Sequence, residues 1–201
     1  EIFQHTLQNV FNGISGCRHI SDDVIVFGAT RREHDQALAN VLQTAKERNL
    51  RFGFKKCEFD KKELEFFGYV FSDKGISPSS SKVQAVKDAP VPKNVSEIRS
   101  FLGMIQYCGR LIPNLATVSA PLPGLTHKDV KWVWTSREQH AFETLKTLLT
   151  TDIVMGYFDY SKNAELYVDA SPFGLGAILT QTTPGKDDTN VIAYAAMPVA
   201  P

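Results

Sequence analysis

The sequence predicts an α+β fold, and two observations support this. Through the first three quarters of the chain, apolar residues recur at the spacing of amphipathic helices, interrupted by short β-branched and aromatic runs. From Glu165 onward the pattern changes to an alternation of apolar and polar residues with a period of two, which is typical of antiparallel strands. The 201 residues, 43% hydrophobic and 22% charged, suit a globular protein of one or two domains.

The first elements are a helix, an acidic hairpin and a second helix. Residues 1–12 carry apolar side chains at helical spacing, and no capping residue precedes them because the sequence starts inside the helix. The hairpin is predicted over residues 17–28, with Asp22 and Asp23 at its turn. A Thr and a Glu three residues apart then form a capping box. The buried stripe of this second helix is expected to be Leu38, Val41, Leu42 and Ala45.

The middle of the chain is predicted to be mixed. Its expected elements are strands over Lys55–Phe59 and Glu63–Phe71, a break over residues 73–81, and helices over residues 81–89, from Asn94 to about Leu111, and from Thr135 onward. Asn94 with Glu97, and Thr135 with Glu138, are the capping signals of the last two helices. The final strands are expected over residues 166–169, 175–181 and 191–195.

Composition excludes several classes of protein. No apolar run approaches the roughly 18 residues of a membrane span, and no segment resembles a secretion signal. Three widely separated cysteines indicate reduced thiols in an intracellular protein rather than disulfides or a zinc site. The net charge is zero, but residues 1–115 carry 16 basic and 13 acidic residues. This asymmetry favours local basic patches only.

The acidic pair Asp22–Asp23 is the feature with the clearest chemical meaning. Two adjacent carboxylates repel each other and resist desolvation unless a cation or hydrogen-bond donors compensate them. A hard cation such as Mg²⁺ favours carboxylate and phosphate oxygens. The dipeptide alone leaves a second interpretation open, in which it only decorates a hairpin turn.

The order of motifs along the chain resembles a known family. The motifs are Ile20-Ser21-Asp22-Asp23 before an apolar strand, Phe66-Phe67-Gly68-Tyr69-Val70, Val95-Ser96-Glu97-Ile98-Arg99-Ser100-Phe101-Leu102-Gly103, Trp132-Val133-Trp134-Thr135 and Leu166-Tyr167-Val168-Asp169-Ala170-Ser171. Together they resemble the reverse transcriptase and ribonuclease H polyprotein of gypsy-type long-terminal-repeat retrotransposons. The resemblance implies the C-terminal part of the palm (residues 1–78), the thumb (79–115), the connection (116–164) and a truncated ribonuclease H-like three-stranded sheet (165–201).

The resemblance implies that Asp22 and Asp23 are the catalytic, metal-binding carboxylates of a polymerase. Asp22 would bind Mg²⁺ (or Mn²⁺) directly, and Asp23 would help to position metal and primer. Two such ions activate the primer 3′-hydroxyl for attack on the α-phosphate of an incoming nucleotide. The family needs a third aspartate, expected before Glu1, so this fragment should not polymerise alone. Ile20 departs from the Tyr that is usual in the family, which puts activity or fidelity in doubt.

Three further groups of residues receive roles by resemblance. The primer grip, a hairpin holding the primer end, would consist of Phe66, Phe67, Gly68 and Tyr69; an ordinary buried strand with a Gly bulge remains the alternative for Phe66. A lysine near the incoming dNTP would be Lys55 or Lys56, although both also fit solvated surface positions. Arg99, Gly103 and Tyr107 are spaced four apart and so share one face of a helix. By resemblance, this helix belongs to the thumb, and the face would lie in the minor groove of the RNA/DNA primer–template duplex. Alternatively, Gly103 lets another helix pack closely.

Asp169 lies where the ribonuclease H family has its first metal-binding aspartate. The remaining ligands are expected after Pro201, so RNA cleavage by this fragment is not expected. The five histidines show no metal spacing.

The sequence is therefore interpreted as a fragment of an RNA-directed DNA polymerase, a nucleotidyltransferase, inactive alone and part of a larger retroelement polyprotein. Its expected location is intracellular, in a cytoplasmic particle or the nucleus. A non-catalytic nucleic-acid-binding remnant and a host-recruited interaction module remain alternatives. We also expect marginal stability with exposed apolar sheet faces.

Overall fold

The structure is a computed structural model that describes residues 2–128, 130–151, 153–172, 174–185 and 188–198. The chain divides into two compact units, Glu1–Lys62 and Glu63–Pro201. The four segments expected from the resemblance stay predictions, because this division separates two units only. The last residues of the predicted ribonuclease H-like segment, 199–201, lie outside the described part.

The first unit places a hairpin against two helices. Its elements are α1 (Ile2–Phe11), β1 (Cys17–Ile20), β2 (Asp23–Val26) and α2 (Arg31–Glu47). Strands β1 and β2 pair antiparallel, with Cys17 opposite Val26 and Ile20 opposite Asp23. Leu7, Phe11, Cys17 and Val41 form the buried core between the helices and the hairpin. The fold therefore fixes the acidic turn at the end of a supported hairpin, as the sequence predicts.

Helix α2 begins as predicted but buries a slightly different face. The Thr30 side chain accepts the Glu33 N–H, and the Glu33 carboxylate accepts the Thr30 N–H, which completes the capping box. The buried residues are Ala37, Val41 and Ala45. Leu42, expected inside, is 46% exposed. A stripe of small residues lets the helix lie close to the hairpin.

The strand predicted over Lys55–Phe59 is wrong. Phe54–Lys56 form a short 3₁₀ helix, closed by hydrogen bonds from the Lys56 N–H to Gly53 O and from the Cys57 N–H to Phe54 O. No described strand pairs with this segment, and an unpaired strand leaves its backbone groups unsatisfied. The chain turns after this segment, with Asp60 in the left-handed region at φ 55°.

The second unit begins with a three-stranded antiparallel sheet in the order β3–β4–β5. The strands are β3 (Glu63–Phe66), β4 (Tyr69–Ser72) and β5 (Gly75–Pro78). The single strand predicted over Glu63–Phe71 is therefore two strands separated by a tight turn. Strand β5 replaces the predicted break, because it pairs with β4 from Gly75 to Pro78. Its first residue also lies against another segment, since a Cβ at Gly75 would lie 2.1 Å from Met155 O. The Ile76 N–H also donates to Met155 O at 2.8 Å.

Helices form the core of the second unit. They are α3 (Ser80–Lys87), α4 (Val95–Tyr107), α5 (Leu115–Ser119) and α6 (Ser136–Thr150). Asn94 caps α4, and Thr135 with Glu138 forms the predicted capping box of α6. The Phe101 and Phe142 rings, with centroids 4.5 Å apart, join α4 to α6 in a core that includes Ile98, Ile105, Leu145 and Leu149. Among the described helices, none is long and apolar enough to cross a membrane.

The chain then forms the predicted three-stranded sheet, in longer strands than expected. They are β6 (Asn163–Ser171), β7 (Gly174–Thr182) and β8 (Thr189–Pro198), in that order. One face packs on α5, since a Cβ at Gly174 would lie 2.8 Å from the Ala116 Cβ. The other face carries Leu166, Val168 and Met197, which are 63%, 73% and 60% exposed. The expected exposed apolar face is thus confirmed.

Candidate functional site

The acidic turn is a two-residue connection between β1 and β2. Ile20 pairs with Asp23, so Ser21 and Asp22 make the turn. Ser21 adopts a left-handed conformation at φ 53°, and its N–H donates to Gln4 Oε1 of α1 at 2.6 Å. The Gln4 side chain of α1 therefore holds the turn in place, while the two strands hold its ends.

Both carboxylates of the turn face solvent without compensation. Asp22 and Asp23 are exposed, and within the described ranges neither forms an ion pair or accepts a side-chain hydrogen bond. The nearest arginine in sequence, Arg18, donates instead to Cys17 O at 2.7 Å. Carboxylate oxygens are hard donors, so the two free carboxylates suit a Mg²⁺ or Mn²⁺ ion that keeps water molecules as its other ligands.

The turn supplies two ligands rather than a complete cage. Across residues 2–128 and the later described ranges, no group of three or more His, Cys, Asp or Glu side chains is arranged to hold a metal ion. His19, on β1 opposite Val24, has a buried Nδ1 atom without a hydrogen-bond partner. Its ring lies beside Phe11, with centroids 6.2 Å apart, and so belongs to the packing of the hairpin on α1.

Lys55 and Lys56 lie exposed on the 3₁₀ helix of the first unit. In the part of the chain that the structure describes, neither pairs with a carboxylate. Both ammonium groups are therefore available to an anionic ligand, and their predicted role beside a triphosphate stays a prediction.

The turn between β3 and β4 has a different chemistry. Phe66 pairs with Tyr69, and the two central residues, Phe67 and Gly68, both have positive φ angles of 50° and 71°. This is the conformation of a type I′ hairpin turn. Phe66 is buried at 9% exposure, whereas Phe67 is 51% exposed. The predicted primer-grip residues therefore form one tight turn with one aromatic ring inside and one outside.

Two tyrosines and a lysine fasten this turn to the end of α4. The Tyr107 hydroxyl donates to Phe67 O, and the Tyr69 hydroxyl donates to Tyr107 O at 2.6 Å. The two tyrosine rings are stacked, with centroids 5.3 Å apart and planes at 17°. Lys82 Nζ lies 5.0 Å from the centre of the Tyr107 ring. Burial raises the pKa of both tyrosines, so their hydroxyls stay protonated donors at neutral pH.

The three predicted thumb residues have three different environments. Arg99 is exposed and its Nη2 donates to Thr126 O at 2.7 Å. Gly103 is exposed, and a Cβ there would meet nothing within 4 Å, so no described helix packs closely against it. Tyr107 reaches the β3–β4 turn instead. The roles of these residues at a duplex stay predictions.

Asp169 lies exposed on β6, opposite Gly176. Its Oδ1 accepts the Ala170 N–H at 2.9 Å. A depression of about 30 Å³ beside it is lined by Asn114, Ala116, Thr117, Ser171, Gly174, Leu175, Gly176 and Ala196. Asp169 is the one carboxylate among these described residues, so the predicted metal role of this residue would need ligands from elsewhere.

Sequence reasoning missed Lys82 and the bonds of Tyr69 and Tyr107. Lys82 follows a Ser-rich segment with no motif around it. The tyrosine contacts join residues 38 and 40 positions apart, a separation at which periodicity gives no signal. The one available signal was the bulky Phe before Gly68 in a hairpin turn, since such a residue needs outside support.

Two known protein families match the two ends of the chain. Residues 1–71 match the family described as reverse transcriptase (RNA-dependent DNA polymerase), and residues 134–201 match the RNase H-like domain found in reverse transcriptase. The Tf2-3 and Tf2-7 transposon polyproteins of Schizosaccharomyces pombe are 37% and 36% identical over 160 residues, which is 80% of this chain. The chain spans 12% of the length of these curated relatives.

Solved structures share the fold. A foamy viral protease–reverse transcriptase in complex with double-stranded DNA superposes with a TM-score of 0.81 and 22% identity, covering 98% of this chain and 34% of that chain. A second structure of the foamy viral enzyme, in complex with an RNA/DNA hybrid, gives a TM-score of 0.80 and 21% identity, covering 99% of this chain and 27% of that chain. The predicted α+β fold is confirmed.

Proposed function

The chain belongs to the reverse transcriptase and ribonuclease H family of gypsy-type long-terminal-repeat retrotransposon polyproteins, and from this premise we propose that it contributes the Asp22–Asp23 metal platform of an RNA-directed DNA polymerase. Mg²⁺ or Mn²⁺ is the proposed cofactor, and a dNTP and an RNA/DNA primer–template duplex are the proposed ligands. The proposed place of action is an intracellular retroelement particle, with the rest of the polyprotein as partner.

One observation carries the proposal: two adjacent carboxylates are exposed, without an ion-pair partner among the described residues, on a turn that is hydrogen-bonded to Gln4 of α1. A surface turn with no function gains nothing from two repelling charges, whereas a cation between them removes the repulsion. The hairpin strands on either side fix the backbone positions of both residues. Such rigidity is what metal ligands require, since Mg²⁺ demands near-ideal geometry.

In the proposed reaction each residue has a limited task. Asp22 and Asp23 hold the metal, which when bound supports in-line attack of the primer 3′-hydroxyl on the α-phosphate of the dNTP. Lys55 or Lys56 offers its ammonium group to the triphosphate. The β3–β4 turn holds the primer end. Arg99 contacts a phosphate of the duplex, which supplies affinity without sequence preference.

A primer-extension assay with an RNA template and Mg²⁺ tests the polymerase proposal. We expect no extension by the 201 residues alone, because they are proposed to supply two of three catalytic carboxylates. Within a longer polyprotein segment that extends primers, Asp22→Asn should lower the rate by at least about 100-fold, the upper range for a residue that only supports a metal ligand. Asp73→Asn, another exposed turn carboxylate, is the control and should leave the rate unchanged. Full activity of Asp22→Asn would contradict the proposal.

The second candidate is a nucleic-acid-binding remnant without chemistry, favoured by the open surface around Arg99 and Gly103. Binding of the chain to a labelled RNA/DNA duplex at several salt concentrations tests it. Arg99→Ala should weaken binding and lower the slope of log affinity against log salt by about one. Arg137→Ala removes an exposed arginine of α6 and should change neither. Equal effects of the two substitutions would exclude Arg99 as a duplex contact.

A further inference from the structure

The turn between β3 and β4 is strained by its own sequence. Phe67 holds a left-handed conformation at φ 50°, which is unfavourable for a bulky residue because its Cβ approaches the neighbouring carbonyl. Asn or Asp is the usual residue at this position of a type I′ turn. A strained turn persists only where surrounding contacts determine it.

Those contacts come from the last residue of α4. The Tyr107 hydroxyl donates to the carbonyl of Phe67, the strained residue itself. In return, the backbone carbonyl of Tyr107 accepts the Tyr69 hydroxyl at 2.6 Å. The stacked rings lie between these two bonds. The turn and the helix end therefore hold each other through two reciprocal hydrogen bonds and one aromatic contact.

Residues at the start of α3 also contact the β3–β4 turn and Tyr107. The Ser79 N–H donates to Gly68 O at 3.0 Å, and Ser79 is fully buried. The Lys82 ammonium lies 5.0 Å from the Tyr107 ring centre, within the range of a cation–π interaction. A Cβ on Gly68 would lie 2.9 Å from the Tyr107 hydroxyl and 3.1 Å from Lys82 Cε. A side chain at residue 68 would therefore require both neighbouring side chains to shift.

We propose that Tyr107 is a positioning residue whose hydroxyl locks the Phe66–Tyr69 turn onto α4, with Tyr69 and Lys82 as its partners, so that the turn and the helix act on the duplex as one rigid element. The effect on duplex binding rests on the proposed nucleic-acid function, whereas the contacts of Tyr107 with the turn do not depend on it. This positioning role differs from the role expected from the family resemblance, in which the Tyr107 ring itself lies in the groove of the duplex. A groove contact needs the ring, whereas this lock needs the hydroxyl.

Hydrogen–deuterium exchange of the full chain tests the lock without nucleic acid. Tyr107→Phe keeps the ring and removes the bond to Phe67; exchange in peptides covering residues 63–72 should become roughly fivefold faster, as expected for one lost hydrogen bond. Tyr69→Phe should have a similar effect in the same peptides. Tyr160→Phe removes a hydroxyl from a side chain that is 96% exposed and should change nothing. Unchanged exchange in residues 63–72, or equally faster exchange in α6, would overturn the proposal.

Duplex binding at about 0.1 M salt tests the consequence. Tyr107→Phe and Tyr69→Phe should each lower affinity for an RNA/DNA duplex severalfold, without changing the salt slope, because no charge is removed. Affinity unchanged in Tyr107→Phe, with affinity lost in Tyr107→Ala, would overturn the proposal in favour of direct groove contact by the ring. If the unsubstituted chain binds no duplex, the proposed function fails, and the exchange experiment alone then decides whether the lock exists.

Discussion

Two of the tight hairpin turns, β1–β2 and β3–β4, share one backbone feature and differ in how the protein supports it. Each is a two-residue turn with a non-glycine residue in the left-handed region, Ser21 in the first unit and Phe67 in the second. The first turn carries two exposed carboxylates, which have no ion-pair partner in the described ranges. The second is uncharged, and the side chain of Tyr107 bonds directly to its strained residue.

The difference is between a turn with an open charged surface and a turn that is held by its neighbours. The exposed carboxylates of the first turn have no ion-pair partner in the described ranges, which leaves them open to the proposed metal ion. At the second turn, the Phe67 and Gly68 carbonyls both accept hydrogen bonds from neighbouring elements, so contacts within the protein determine its shape. The following predictions test this contrast, beginning with the largest expected effect.

Gly68→Ala should be the most damaging single substitution at either turn. The new Cβ would lie 2.9 Å from the Tyr107 hydroxyl, so the Tyr107 side chain must shift, and we expect its bond to Phe67 to weaken. Alanine in the left-handed conformation adds strain of about 1 kcal/mol. With the weakened hydrogen bond, we expect the free energy of unfolding, measured in urea, to fall by about 2–3 kcal/mol. Gly185→Ala is the control, because Gly185 has a similar φ of 79° and a Cβ there would meet no described atom within 4 Å. Equal losses for the two variants would contradict the lock.

Alkaline pH should weaken the second turn. Burial, the largest cause, raises the pKa of Tyr69 and Tyr107 above the usual value of 10.0. The unfolded tyrosines therefore ionise first, so the stabilisation is complete below pH 10 and is lost as the pH rises through the folded pKa values. Urea unfolding between pH 8 and 11.5 should show this decline. The double variant Tyr69→Phe/Tyr107→Phe should decline less, and an identical pH dependence in both proteins would exclude the tyrosine lock.

Ser21→Gly should stabilise the first turn. Glycine adopts the left-handed conformation without a Cβ penalty, and the bond from the residue 21 N–H to Gln4 is retained. We expect a gain of up to about 1 kcal/mol in the free energy of unfolding. Asn49→Gly is the matched control, since Asn49 has a similar φ of 55° but asparagine tolerates it better. A destabilised Ser21→Gly protein would show that the serine side chain supports the turn.

The parts of this fold that depend on local chemistry could be predicted from the sequence. The acidic hairpin, the capping boxes at Thr30 and Thr135, and the strands after Glu165 all follow from residues close together in the chain. Strand β5 could not be predicted, because its Gly, Ser and Pro residues signal a turn, although it pairs with the adjacent strand β4 and forms one isolated bridge to the distant Met155.

The candidate site divides in the same way. Asp22 and Asp23 could be proposed from the sequence, because two adjacent carboxylates are visible in it without any knowledge of the fold. The lock of Tyr107 could not be found, because helical spacing grouped this residue with Arg99 and Gly103. Its actual contact, with Phe67, crosses 40 residues, and only the folded chain brings the two together.

The most direct test of the account is whether the acidic turn binds a divalent cation. Mn²⁺ titrated into the isotopically labelled chain should broaden the backbone amide signals of residues 20–24 first, because a bound paramagnetic ion relaxes nearby nuclei. Asp22→Asn/Asp23→Asn should abolish this selective broadening, while its free energy of unfolding should stay within about 0.5 kcal/mol of the original, as expected for exposed side chains without partners. Broadening spread equally over other exposed carboxylates such as Asp35 and Asp60, or unchanged in the double variant, would contradict the assignment of the turn as a metal platform.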